Sequence, residues 1–324
     1  MEKSCQLPNP KLIYSLYRQE LKPQILRIAL LLRVFTPFAN GPCDAETIAK
    51  ECGSNPISIH LLLECLCVFG LLEKEGGLYQ LTPTSATFFL PGKSSYTGNW
   101  VLEQTNPDIY QKVLSSVKSG SPFLHPMPWQ ELAWLESYDQ TRIPESIRMW
   151  NAVGIDHQDQ ENLKVLDLAC GCSITSFVLA ISNPKAHITC VDYPDVLDVA
   201  RDLASRLDIV SQVTFSPGDL HQIELEESQY NLVLLGNVTN FFTPDQNIDL
   251  FKRIRASISP KGLLVINVQM QSEDQNEQIT LHSFILWGMS GTQFFPFTCY
   301  HTWLKNAGFA EIEKISDLWI SAKT

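Results

Sequence analysis

The run Val165-Leu166-Asp167-Leu168-Ala169-Cys170-Gly171-Cys172-Ser173 constrains the fold more than any other stretch of the chain. An apolar segment passes straight into small residues and then into a helical pattern, which is how a parallel β-strand turns into its crossover helix. Small residues at that turn let a ligand approach the backbone, and in a doubly wound sheet ligands gather at the carboxyl ends of the strands. From Leu163 onward strands and helices alternate. Strands are expected at 164–169, 187–192, 212–215, 230–235 and 263–269, with helices at 175–182, 196–207, 244–258 and 277–289 between and after them. The tail reads as a helix at 303–308 and two closing strands at 309–315 and 318–322, which completes a Rossmann-like α/β sheet of seven strands.

Acidic residues stand at the strand ends. Val191-Asp192-Tyr193-Pro194 closes the second strand with a carboxylate 21 positions after Gly171, a placement suited to two hydrogen bonds with a ribose diol. Gly218-Asp219-Leu220 follows the third strand. A pyrophosphate needs a full glycine run and a helix N-terminus free of acidic neighbours, so three carboxylates favour a cationic ligand that carries a ribose and an adenine. Taken singly, each aspartate also reads as a cap of the next helix. Cys170 and Cys172 form a lone C-x-C with no convergent histidine pair, so no metal site is expected.

The first 140 residues follow a different pattern. Helical periodicity runs from Asn9 to about Leu90, with Asp44 opening one short helix, Asn55-Pro56 opening a second, and Gly76-Gly77 turning a hairpin over 71–81. Helix, turn, helix and hairpin make a winged helix, most often a DNA reader. Here no Lys or Arg occurs between Lys50 and Lys74, and the net charge is −11. Reading phosphates needs a clustered positive surface, so a packing role is expected and nucleic acid is not. Residues 82–146 carry scattered prolines and the aromatics Trp100, Tyr110, Phe123, Trp129 and Trp134, read as the connection to a second domain at 141–324 and one wall of a pocket. The most apolar stretch, 25–39, is broken by Arg27 and Arg33, so no membrane span is expected. The opening residues lack a basic region followed by an apolar one, and the nine cysteines have no regular spacing; a cytoplasmic protein with reduced thiols is expected.

These motifs, with Leu71-Leu72 through Leu81-Thr82-Pro83-Thr84, Lys261-Gly262-Leu263-Leu264-Val265-Ile266 and Ala307-Gly308-Phe309, resemble the class I S-adenosylmethionine (SAM) dependent methyltransferases. The likeness spans nearly the whole chain and is to the small-molecule O-methyltransferase branch, which has an N-terminal winged-helix dimerisation domain. The resemblance implies a homodimer that uses SAM to methylate a small secondary metabolite. It places Asp167, Ala169 and Gly171 at the methionine end, Asp192 on the ribose, Tyr193 beside the adenine, Asp219 and Leu220 at the adenine edge, and Asn237 near the transferred methyl. Trp150, Trp287, Phe294 and Tyr300 would line an apolar acceptor pocket.

In Gly236-Asn237-Val238-Thr239-Asn240-Phe241-Phe242 the chain departs from its plant-type relatives, which have a general-base histidine and then an aspartate where Asn240 and Phe241 stand. Asparagine does not accept a proton at neutral pH. Asn240 can orient a substrate oxygen, and His301 or His157 can substitute as base, each with packing or solvation as the bland reading. O-methylation is favoured over C-methylation. The alternatives are a SAM-binding enzyme of non-methyl chemistry, cyclisation or rearrangement, and more remotely a winged-helix transcription regulator.

Overall fold

A computed structural model describes residues 10–93, 95–124, 142–155, 162–271 and 277–324. The chain divides into two compact units, Met1–Asn106 and Pro107–Thr324.

The first unit contains helices α1 (Lys11–Leu31), α2 (Ala45–Glu51) and α3 (Pro56–Val68), the hairpin β1 (Leu72–Glu75) and β2 (Leu78–Leu81), then α4 (Pro83–Phe88) and α5 (Gly98–Gln104). Asp44 starts α2 by accepting the Thr47 N–H at 2.7 Å. Asn55 starts α3 by accepting from Ile57 and Ser58, with Pro56 preset in the first turn. The hairpin has a two-residue turn in which both residues, Gly76 (φ +57°) and Gly77 (φ +84°), lie in the left-handed region that only glycine enters freely. Phe35, Ile48, Leu63, Leu66, Leu72 and Tyr79 fill the core. This is the winged helix expected, and α3 turns Ile57, Leu61 and Val68 outward, an apolar surface where a DNA reader carries cations.

The second unit holds α6 (Asp108–Ser119), α7 (Ile143–Ala152), α8 (Ile174–Ser182), α9 (Pro194–Arg206), α10 (Pro244–Ser257), α11 (Glu277–Ser290) and α12 (Phe297–Asn306). Its strands are β3 (Lys164–Leu168), β4 (His187–Asp192), β5 (Val213–Pro217), β6 (Tyr230–Gly236), β7 (Ile258–Asn267), β8 (Glu311–Ser316) and β9 (Trp319–Lys323). They form one seven-stranded sheet in the order β5-β4-β3-β6-β7-β9-β8. The five strands from β3 to β7 are parallel and β9 is antiparallel to its neighbours. The chain winds outward through β4 and β5, then returns to lay β6 beside β3, and that reversal opens a crevice at the carboxyl ends of β3 and β6. Both faces of the sheet are covered. Phe177, Ala200 and Leu203 pack on one side, and Leu250, Phe251, Ile254, Tyr300 and Leu304 on the other. This double cover is why β3 and β6 read as near-continuous apolar runs.

The division at Asn106/Pro107 falls earlier than the boundary near 140 that the sequence suggests, because α6 packs against α11 within the second unit. Val113 is buried there, and a Cβ added at Gly288 would lie 2.8 Å from its Cγ1. The backbone N–H groups of Phe123 and Leu124 then donate to the carbonyls of Gly288 and Met289 at 3.1 and 2.7 Å. Two further bounds differ from expectation: β7 begins at Ile258, where α10 gives way directly to strand, and α12 begins at Phe297, immediately after Pro296. No helix among the described residues is long and apolar enough to cross a membrane.

Candidate functional site

After β3 the backbone makes three left-handed steps, at Ala169 (φ +53°), Gly171 (φ +54°) and Ser173 (φ +60°). For Ala169 and Ser173 such a conformation costs about 1–2 kcal/mol each, so the loop needs anchors. Cys170 N–H donates to the Val191 carbonyl at 3.2 Å and Ser173 N–H to the Cys170 carbonyl at 2.7 Å. The Gly171 N–H donates to Asp192 Oδ2 at 2.9 Å. Ala169 and Ser173 thus take a glycine-like conformation in a loop tied to β4 through Cys170 and Gly171.

Asp167 lies inside β3 with 2% of its surface exposed. Its Oδ2 accepts from the hydroxyls of Ser173 at 2.6 Å and Ser176 at 2.5 Å, both from the start of α8. Burial, opposed by the two hydroxyls and aided by the Asp192 carboxylate, leaves its carboxyl raised to about 7. Asp192, at the end of β4, accepts from Gly171 through Oδ2 and from the Tyr193 N–H through Oδ1 at 2.8 Å. Burial raises this carboxyl too, against the pull of those two amides. Asp219 caps its own loop, Oδ1 accepting from the His221 N–H at 2.9 Å and Oδ2 from the Gln222 amide at 3.2 Å. The neighbouring Gly218 N–H donates to the Asp192 carbonyl at 3.0 Å, which joins the ends of β4 and β5. Leu220 is buried behind it. Tyr193 is 40% exposed, and burial together with the charges of Asp219 and Asp192 raises its phenol. Asn237, at φ +52°, is exposed at the end of β6 and tied by its N–H to the Asn267 carbonyl at 2.7 Å.

The fold thus brings Asp167, Ala169, Gly171, Asp192, Tyr193, Asp219, Leu220 and Asn237 to one end of one sheet. Two of the carboxylates are desolvated and short of positive charge, so a cation is the ligand that this rim stabilises. Carboxylate oxygens, acceptor-only when ionised, also suit an ammonium or a diol. The residues present therefore fit SAM.

The turn after β6, residues Thr239–Phe241, is locked rather than open. Asn240 is buried, its Oδ1 accepting from the Tyr300 hydroxyl at 3.0 Å and its Nδ2 donating to the Gln269 carbonyl at 3.4 Å. Its own carbonyl accepts the Gln293 N–H at 2.9 Å. Tyr300 also meets the Thr239 hydroxyl at 3.1 Å. From α10, Asn247 donates to the carbonyls of Thr239 and Phe242. Tyr300 is fully buried, and burial raises its phenol far above the ordinary range, so it serves as a neutral donor.

The predicted acceptor-side residues separate. Trp150 is fully buried in the core and donates its indole N–H to the Thr175 carbonyl at 2.8 Å, and Tyr300 is buried in the core on the opposite face of the sheet, so neither lines an open pocket. Trp287 and Phe294 are half-buried. His301 follows Tyr300 by one residue on α12, about 100° around the helix, and is exposed beside Phe297. His157, Trp129 and Trp134 lie outside the described residues.

Sequence reasoning passed over Ser176, whose signal was a hydroxyl one helical turn beyond Ser173, and Asn247, which reaches back from the first turns of α10 to the carbonyls of Thr239 and Phe242. It also passed over His282 of α11, an exposed residue whose ring meets that of Phe294 edge-on at 6.1 Å. Among the described residues no group of three or more His, Cys, Asp or Glu could hold a metal ion.

Comparison with known proteins gives two family matches. Residues 159–294 match the family described as a methyltransferase domain, and residues 15–90 match the O-methyltransferase dimerisation domain. The 3-hydroxy-5-methyl-1-naphthoate 3-O-methyltransferase of Streptomyces sahachiroi is 23% identical over 94% of this chain and 91% of its own. The L-tyrosine C(3)-methyltransferase of Streptomyces lavendulae is 23% identical over 88% of this chain and 83% of its own. The crystal structure of human N-acetylserotonin methyltransferase in complex with SAM superposes with a TM-score of 0.75 at 21% identity, covering 99% of both chains.

Proposed function

The chain is a SAM-dependent methyltransferase of the family that carries an O-methyltransferase dimerisation domain, and on that premise we propose that it methylates a small, largely apolar or aromatic natural product. In this reading it acts as a cytosolic homodimer and methylates oxygen in preference to carbon. The observation that carries the reading is the row of carboxylates at the carboxyl ends of β3, β4 and β5, where Asp167 and Asp192 hold the left-handed loop after β3 and Asp219 stands in the loop after β5.

When bound, SAM supplies an electrophilic methyl group on a positively charged sulfur. Asp167, with the backbone of Ala169 and Gly171, takes the methionine end and faces its ammonium. Asp192 accepts from the ribose hydroxyls with the lone pairs that its two amide donors leave open. Tyr193 covers the adenine, Asp219 and Leu220 hold its edge, and Asn237 lines the approach to the methyl. Trp287 and Phe294, both half-buried, hold the planar body of the acceptor.

Asn240 has both ends of its carboxamide bonded within the fold and takes no proton. The acceptor then has to bring a nucleophile that is already reactive near neutral pH, such as a phenol acidified by a carbonyl on its ring. Alignment of that oxygen with the methyl in a dry pocket supplies much of the remaining barrier reduction. The hydroxynaphthoate that names the Streptomyces sahachiroi relative is a planar hydroxyarene of this general kind. The S. lavendulae relative is named for methylation at carbon, so the atom methylated is the point to test. Incubation of the full chain with SAM and an extract of the source cells should yield S-adenosylhomocysteine and a product heavier than its precursor by one methylene on oxygen. Binding of SAM without formation of S-adenosylhomocysteine would overturn methyl transfer, and a new carbon–methyl bond would overturn the preference for oxygen.

A further inference from the structure

The loop that carries Asp219 and Leu220 belongs to a stretch, 218–229, with no helix or strand of its own. Its carbonyls still need donors. The Asp219 carbonyl is served locally, by the N–H groups of Gln222 and Ile223 at 2.9 and 2.8 Å. The carbonyls that follow are served from elsewhere. Arg253, half-buried on α10, donates Nη1 to the carbonyls of Leu220 at 2.9 Å and His221 at 3.1 Å, and Nη2 to that of Ile223. One guanidinium therefore gathers three carbonyls of the loop around its fork, a geometry that lysine cannot copy. A second contact ties the same loop to the turn after β6: the rings of His221 and Phe242 meet edge-on at 4.4 Å. Through Asn247 and Arg253, α10 holds the turn after β6 and the loop after β5 together.

We propose that Arg253 is a positioning residue for the adenosine end of SAM, acting through the loop that presents Asp219 and Leu220. The inference rests on the assignment of that loop to the adenine edge. Arg253 touches neither the methionine end nor the turn bearing Asn240, so its loss should weaken ligands in proportion to their adenosine part.

The test is calorimetric titration of the full chain with S-adenosylhomocysteine and with 5′-methylthioadenosine, which keeps the adenosine and lacks the amino acid. Arg253→Ala should weaken both by the same factor, about tenfold or more, with one site per chain retained. Arg253→Lys should fall between the variant and the parent, and it also serves where the alanine variant fails to fold. Unchanged dissociation constants in Arg253→Ala would overturn the proposal and leave the cofactor site standing. Fewer binding sites at an unchanged dissociation constant would also overturn it, because partial unfolding would then be the whole effect. A loss for S-adenosylhomocysteine with none for 5′-methylthioadenosine would place the effect at the wrong end of the ligand. If the parent chain bound neither compound, the crevice reading itself would fall, and the proposal with it.

Discussion

At the scale of single residues, Asp167 carries the sharpest expectation. Its carboxyl, raised to about 7 by burial, is higher in the folded chain than in the unfolded one. The free protein therefore holds the stabilising proton fully at low pH and loses that contribution as pH rises through about 7. A cationic ligand reverses the balance, because an ammonium beside Asp167 favours the ionised form. Affinity for S-adenosylhomocysteine should rise with pH up to about 7 and then level off, by at most about tenfold per pH unit. Calorimetry in buffers of different ionisation enthalpy should register proton release on binding near pH 7. Asp167→Asn should flatten the pH dependence, and a wild-type profile with no slope between pH 6 and 8 would contradict the assignment. Ser176→Ala should move the midpoint upward, since one of the two hydroxyls holding the carboxylate is gone. None of this was legible at Asp167 in the sequence beyond its place at a strand end. Its pKa depends on two serines and a second aspartate that the fold brings to it.

Between elements, two contacts test how the site is held. The Tyr300 hydroxyl joins α12 to the turn after β6 through Asn240 and Thr239. Tyr300→Phe leaves the buried Asn240 Oδ1 without that donor, an orphan that costs about 1–3 kcal/mol. Urea unfolding should show that loss while the affinity for S-adenosylhomocysteine stays within about twofold, because no contact of Tyr300 reaches the carboxylate rim. The α6–α11 seam gives the second test. Gly288 meets the branched, buried Val113 so closely that Gly288→Ala would force the two helices apart, at about 1–3 kcal/mol. Val113→Ala in the same chain should recover most of that cost, and a strictly additive double variant would show that the seam is looser than described. The sequence shows residues 82–146 as a connection broken by prolines and gives no sign of the partner of α6, which is why a boundary near residue 140 looked natural. A long-range pairing between residues 113 and 288 leaves no local trace.

The whole molecule poses the question of assembly. Leu12, Ile13, Leu16 and Tyr17 of α1 are 71, 68, 56 and 61% exposed, a contiguous apolar face that water covers poorly. The O-methyltransferase dimerisation match spans residues 15–90, so light scattering should give a mass of two chains. Leu12→Glu together with Leu16→Glu, one helical turn apart, should shift that mass to one chain without loss of helix content. Two chains retained in that variant would place the interface elsewhere. Much of the rest was already in the chain's order of residues. The alternation of strands and helices after Leu163 and the small residues after β3 specify a doubly wound sheet, because period and turn chemistry are local properties. The acidic strand ends likewise favour a cationic ligand by charge alone. Tertiary structure alone decided which of these residues are free to act. It buried Trp150 and Tyr300, turned His301 outward, engaged both ends of Asn240, and drew Arg253 to a loop far away in sequence. Those outcomes depend on which groups become neighbours when two helical layers close over one sheet, and a linear pattern carries no record of that.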